Sequence, residues 1–151
     1  MRPSSTPNAG RGHVLIVDDE ESARLTTEAV LCDDFDVFVA GSGEEALAKI
    51  RRMSIEVVVT DLVMPGMNGL ELLARLKEEY DSVHAVLVTG HRDYLSTRAS
   101  ARDVTFDLLL KPYNPSELIQ VVKRAIEVRR LRRALSDLSR RNPRLSKAGH
   151  S

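Results

Sequence analysis

The chain has a single cysteine, Cys32, among 151 residues, no tryptophan, and only 4% aromatic residues. One cysteine excludes an internal disulfide framework and a cysteine-based zinc cluster. With so few rings, any core must be built from aliphatic side chains. No stretch reaches the roughly 18 uncharged apolar residues of a membrane span. The opening Met1-Arg2-Pro3-Ser4-Ser5-Thr6-Pro7 has no apolar segment of the kind a secretory signal carries. These absences lead us to expect a soluble, cytoplasmic domain. The length argues for one domain, and 42% hydrophobic residues suffice for a core.

Net charge is also absent, with 22 basic and 22 acidic residues, but the balance is uneven along the chain. Residues 123–147 hold ten Lys and Arg against Glu127 and Asp137, leaving 12 basic and 20 acidic residues elsewhere. Residues 1–12 and 142–151 are polar, aperiodic and rich in Pro, Ser, Gly and Arg, and read as a disordered lead-in and tail. Between them, short apolar runs recur at Val14–Val17, Val37–Val39, Val57–Val59, Ala85–Val88 and Leu108–Leu110. Four are rich in Val or Ile, as strands buried on both faces are, whereas the leucine run suits a helix equally well. Helix-like segments follow at Glu21–Leu31, Glu44–Met53, Leu70–Glu79, Asp93–Arg102 and from Ser116 onward. Ser42 with Glu45 three residues later, and Pro115 near the start of the last segment, are helix-start signals. Five βα units predict an α/β fold: a doubly wound parallel sheet with right-handed crossovers and helices on both faces.

In such sheets the chemistry gathers beyond the carboxyl ends of the strands. The first run ends in Asp18-Asp19-Glu20, the third in Thr60-Asp61, the fourth in Thr89-Gly90 and the fifth in Lys111-Pro112. Any one of these is ordinarily a solvated loop residue; together, on strands one, three, four and five, they form a set. Two carboxylates about 4 Å apart repel by about 4 kcal/mol at an effective dielectric near 20. A cluster of three therefore calls for a cation. Hard oxygen donors on a rigid edge suit Mg²⁺, which keeps several waters and binds phosphate oxygens as well. A carboxylate can itself be a nucleophile and form an aspartyl phosphate. A metal, the Lys111 ammonium and the Thr89 hydroxyl would then each take one phosphoryl oxygen.

The stretches His13-Val14-Leu15-Ile16-Val17-Asp18-Asp19-Glu20, Val59-Thr60-Asp61-Leu62-Val63-Met64-Pro65-Gly66-Met67-Asn68-Gly69, Val88-Thr89-Gly90-His91 and Leu110-Lys111-Pro112-Tyr113 resemble the response-regulator receiver domain of two-component signalling. The resemblance covers positions 13 to about 126, and we set the domain at 13–128, a basic helical extension at 129–141. It implies a flavodoxin-like sheet of order 2-1-3-4-5 and a phosphorelay role. Asp61 would accept a phosphoryl group from a sensor histidine kinase. Asp19 and Asp61 would ligate Mg²⁺ directly, Asp18 through water, and Val63 through its main-chain carbonyl. Thr89 would be the switch hydroxyl, Lys111 the ion-pair partner of the phosphate, and Lys111-Pro112 a cis bond. The protein would be a phosphoacceptor, not a turnover enzyme. Its output partner, unnamed by the sequence, would meet the face made by the fourth and fifth helices and the fifth strand. In the family a Tyr or Phe stands three residues before the lysine, but here Leu108 does, with Phe106 and Tyr113 nearby. That departure motivates an alternative, a receiver-fold adaptor that works by protein binding without phosphorylation.

Other signals carry less. Gly41-Ser42-Gly43-Glu44-Glu45-Ala46 fits a dinucleotide fingerprint in spacing, but two glutamates stand where a pyrophosphate would sit, so we read a turn and helix cap. His91 is either a surface histidine or a residue overhanging the site. The last helix outruns a receiver. Leu118, Val121, Ala125 and Val128 should pack on the sheet. Val128, Leu131, Leu135 and Leu138 form a rotated second stripe that suits either a coiled-coil homodimer or a solvated extension. Its charge invites nucleic acid, but no reading motif follows, and we expect no DNA role and no membrane contact.

Overall fold

The computed structural model describes residues 10–80, 82–90, 96–98, 101–102 and 105–141. Five strands, β1 (His13–Val17), β2 (Asp36–Ala40), β3 (Val57–Asp61), β4 (His84–Thr89) and β5 (Asp107–Leu110), form one parallel sheet of order β2-β1-β3-β4-β5. Three helices, α1 (Glu21–Leu31), α2 (Gly43–Arg52) and α3 (Gly69–Glu79), and a long C-terminal helix (Pro115–Arg141) complete the described elements. The expected segment at 93–102 lies mostly outside the described residues; residues 96–98 and 101 have helical backbone.

Alternation along β1 divides the interior. Val14 and Ile16 join a cluster with Val57, Val59, Leu118, Val122 and Ala125, under α1 and the C-terminal helix. Leu15 and Val17 face the other way, onto Leu47, Ile50, Leu72 and Leu76 of α2 and α3. A fully buried leucine contributes about 2 kcal/mol, so Leu72, Leu73 and Leu76 anchor α3 firmly. The leucine run resolves as a strand, with Leu108, Leu109 and Leu110 registered against Leu87, Val88 and Thr89.

Caps set the helix starts. The Ser42 side chain accepts from the Glu45 N–H at 3.1 Å, and Glu45 reaches back to the Gly41 N–H at 3.0 Å. The glycine-rich turn is thus a helix cap, as its charges suggested. Asn68 and Glu71 form a reciprocal capping box at α3. Residues 10–12, grouped by composition with the lead-in, are tied to the body. Arg11 pairs with Asp36 at 2.9 Å and donates to the Phe35 carbonyl at 2.7 Å. Residues 1–9 and 142–151, which hold the rest of the lead-in and the tail, lie outside the described residues.

The C-terminal helix runs unbroken through Arg141. Its first half buries Leu118, Val121, Val122, Ala125 and Ile126, while Leu131, Leu135 and Leu138 are exposed. Between them sits a clasp absent from the apolar pattern. Glu56, just before β3, takes Arg129 at 3.2 Å and Arg130 at 3.1 Å. Arg129 also donates to the Ser82 carbonyl at 2.7 Å. Arg129, 8% exposed, is the only buried cation among the described residues.

Candidate functional site

Because all five strands are parallel, their carboxyl ends share one edge. Register aligns Val17 with Thr60, Asp61 with Val88 and Thr89 with Leu110, bringing Asp18, Asp61, Thr89 and Lys111 onto neighbouring strand ends. One carboxylate oxygen from each of Asp18, Asp19 and Asp61 lies within 4.8 Å of the others, the only such acidic or metal-ligating group among the described residues. The Lys111 Nζ stands 3.2 Å from Asp61 Oδ2 and 3.9 Å from Asp18 Oδ2. One ammonium against three carboxylates leaves two negative charges in a partly desolvated cleft. That donor set, all hard oxygens with a residual charge of about −2, fits a divalent cation such as Mg²⁺.

Each group is held from behind. Asp18 is buried and accepts the Glu20 N–H at 3.0 Å. Arg24 of α1 donates to the Asp18 carbonyl at 2.8 Å. Burial pushes the Asp18 carboxyl up from its ordinary range; the Glu20 N–H opposes this, Asp61 adds to it, Lys111 opposes it and Asp19 adds to it. Thr60 is buried in β3. Gly69 has no room for a side chain: a Cβ there would lie 2.4 Å from the Asp61 carbonyl oxygen and 3.0 Å from Leu62 Cα. Its N–H meets the Leu62 carbonyl at 2.8 Å, so the start of α3 abuts the strand end that carries Asp61. Gly66, at φ +74°, makes the preceding turn. The Lys111–Pro112 bond is cis.

Thr89 is wholly buried, and its hydroxyl is the one buried side-chain polar atom among the described residues without a hydrogen-bond partner. An unsatisfied buried hydroxyl costs about 1–3 kcal/mol, a penalty usually retained where a ligand supplies the missing bond. Val63 lies just past β3 with its side chain exposed. His91 lies outside the described residues.

Leu108 packs with Leu62, Leu73, Ala85, Leu87 and Ala101. Neither neighbouring ring replaces the aromatic that the family places there. Phe106 stacks on His84 at a centroid distance of 5.4 Å, and the Tyr113 hydroxyl lies 3.0 Å from the Thr27 hydroxyl of α1. Sequence reasoning missed Arg24, the tight fit at Gly69 and the Glu56 clasp. Only Gly69 left a signal, as a glycine eight residues after Asp61.

Comparison with known proteins agrees with this geometry. The family described as response regulator receiver domain matches residues 14–123. The chain is 33% identical over 122 residues to the DNA-binding transcriptional regulator NtrC of Salmonella typhimurium, covering 77% of this chain and 25% of that protein. It is 30% identical over 119 residues to the hydrogenase transcriptional regulatory protein HoxA of Cupriavidus necator, covering 78% and 25%. It thus spans about a quarter of these two relatives' length. A response regulator receiver domain from Clostridium thermocellum superposes with a TM-score of 0.75 at 28% identity, covering 80% of this chain and 98% of that one. Sheet order, strand-end chemistry and these matches together place the chain in the response-regulator receiver family of two-component signalling.

Proposed function

We propose that this chain is a phosphorelay switch that accepts a phosphoryl group on Asp61 from the phosphohistidine of a sensor kinase. The observation that carries the reading is the Asp18, Asp19 and Asp61 cluster with Lys111 3.2 Å from Asp61. An Asp61 carboxylate oxygen attacks phosphorus, the phosphorus–nitrogen bond breaks, and the imidazole leaves with the electron pair. Asp18, Asp19, Asp61 and the Val63 main-chain carbonyl are the groups that would hold Mg²⁺. The chemistry Mg²⁺ supplies when bound is neutralisation of phosphoryl oxygens among carboxylates. Lys111 pairs with one phosphoryl oxygen, and Thr89 donates its unused hydroxyl to another.

Satisfying Thr89 draws the end of β4 inward and shifts a two-state equilibrium. With Leu108 in the aromatic position, the switch runs through the hydroxyl without a swinging ring. Output is partner binding on the face of β5 and the C-terminal helix, or pairing of two copies through Leu131, Leu135 and Leu138. The site is cytoplasmic, where sensor kinases present their phosphohistidine, and no described helix is long and apolar enough to cross a membrane. The DNA binding in the name of the Salmonella typhimurium relative is not assigned to this span.

Incubation with acetyl phosphate and Mg²⁺ tests the reading. The expected result is a mass gain of one phosphoryl group, absent in Asp61→Asn. A chain that stays unmodified under those conditions would favour the adaptor that works without phosphorylation. Sedimentation of free and phosphorylated protein, with and without the residues after Val128, reads the pairing.

A further inference from the structure

The C-terminal helix leaves the body between two cavities of nearly equal size, about 530 and 540 Å³. Both fall within the roughly 300–1,000 Å³ of small-molecule sites. They differ in charge. The first is lined by four arginines, Arg11, Arg129, Arg130 and Arg133, together with Glu56 and Asp137, which offset half of that charge. The second is lined by Ser82, His84, Arg129, Arg132, Arg133 and Arg140, with Ser136 between the last two, and its described lining holds no carboxylate.

Helical spacing explains the gathering. Positions 129, 132, 133, 136 and 140 fall on one side of a helix. Two of the four cations are engaged elsewhere, Arg129 with Glu56 and Arg140 with Asp137. Arg132 and Arg133 are exposed and make no ion pair with a described residue. Arg132 instead points Nη1 at His84 Nε2, 3.4 Å away. His84 Nδ1 lies 3.1 Å from the Ala125 carbonyl and so carries the ring proton, leaving Nε2 as an acceptor. Burial pushes the His84 pKa down from its ordinary value; the Ala125 carbonyl opposes this, and Arg132 and Arg129 add to it. The cleft is therefore a convergence of like charge in which Glu56 and Asp137 offset Arg129 and Arg140 from outside the lining, while Arg132 and Arg133 have no carboxylate partner among the described residues.

We propose that this cleft binds an oligophosphate, two or three linked phosphoryl groups either free or borne by a nucleotide. Guanidinium forks match phosphate oxygens two at a time, and two forks without a described carboxylate partner, in adjacent helical positions, suit linked phosphates better than a single one. The serine hydroxyls and the Arg129 and Arg140 fields complete the lining. The cleft is distinct from the phosphoacceptor. It opens at His84, the first residue of β4, whereas Thr89 ends that strand about 17 Å away.

Calorimetric titration of the full chain with sodium tripolyphosphate, at about 50 mM salt with chelator to exclude metal bridging, tests the assignment. Saturable 1:1 binding is expected, about tenfold tighter than inorganic phosphate. Arg132→Ala and Arg133→Ala should each weaken it about tenfold, as loss of one charge-assisted contact does. Both side chains are exposed, so neither change threatens the core. Lys123→Ala, whose lysine pairs with Asp34 away from this cleft, should leave binding unchanged. ATP binding more tightly than tripolyphosphate identifies a nucleotide as the source, and equal affinity identifies the phosphate chain alone. Absence of saturable binding, or indifference to both arginine substitutions, overturns the proposal. So does tighter, arginine-dependent binding of a short DNA duplex, which would assign the groove to nucleic acid.

Discussion

Removing the Glu56 carboxylate is the sharpest test of what holds the C-terminal helix in place. In Glu56→Ala the Arg129 guanidinium, whose side chain is 9% exposed, keeps only the Ser82 carbonyl as a described partner. Breaking a buried pair from one side costs about 3–5 kcal/mol. The surviving carbonyl bond places this case near 3 kcal/mol. Arg130, 38% exposed, adds less than about 1 kcal/mol of its own. With a urea slope near 2 kcal/mol/M, the unfolding midpoint should fall by about 1.5 M. Glu56→Gln, which keeps an acceptor but no charge, should lose about half as much, and Arg130→Ala less again.

The same site predicts a pH signature. Burial pushes the Glu56 carboxyl up, but the Arg130 hydrogen bond and charge, the His13 N–H and Arg129 together outweigh it and hold it below its ordinary value. An acid depressed in the fold adds stability above its unfolded pKa, about 4.3, and loses it as pH falls toward the folded value. Urea midpoints measured from pH 7 down to about 3 should therefore drop more steeply for the natural protein than for Glu56→Gln. Losses below about 0.5 kcal/mol in Glu56→Ala, the size of an ordinary surface change, would refute the clasp.

Thr89→Val removes the unsatisfied hydroxyl at nearly constant volume. It should stabilise the free protein by about 1 kcal/mol in urea unfolding while abolishing the conformational response to acetyl phosphate. Gly69→Ala forces a methyl against the Asp61 and Leu62 backbone, and should cost about 2–3 kcal/mol and slow phosphoryl uptake at Asp61. Asp18→Asn relieves a buried carboxylate crowded by Asp61 and Asp19. It should raise the thermal midpoint of metal-free protein by a few degrees and remove the stabilisation that Mg²⁺ gives.

The strand-end acids, Thr89 and Lys111 were legible because each ends an apolar run, and a parallel sheet sends every such end to the same edge. The Val-rich strands were legible for the same reason, through period and β-branching. The leucine run was legible as the fifth strand only through its place in the series, since Leu108–Leu110 alone suits either a helix or a strand until β4 supplies its pairing partner. Arg129 was counted only within a charge surplus, because its acid stands 73 residues earlier and nothing local marks either as buried. Likewise Arg11 looked like part of a polar leader until Asp36 and the Phe35 carbonyl claimed it.

Residues 131–141 continue the C-terminal helix beyond the Glu56 clasp, a length of about 16 Å. A rod gripped at its root magnifies small rotations: a tilt of about 10° there would sweep the tip by about 3 Å. Whatever rests on Leu135 and Leu138 would thus feel a rearrangement of the sheet too slight to register at the root itself.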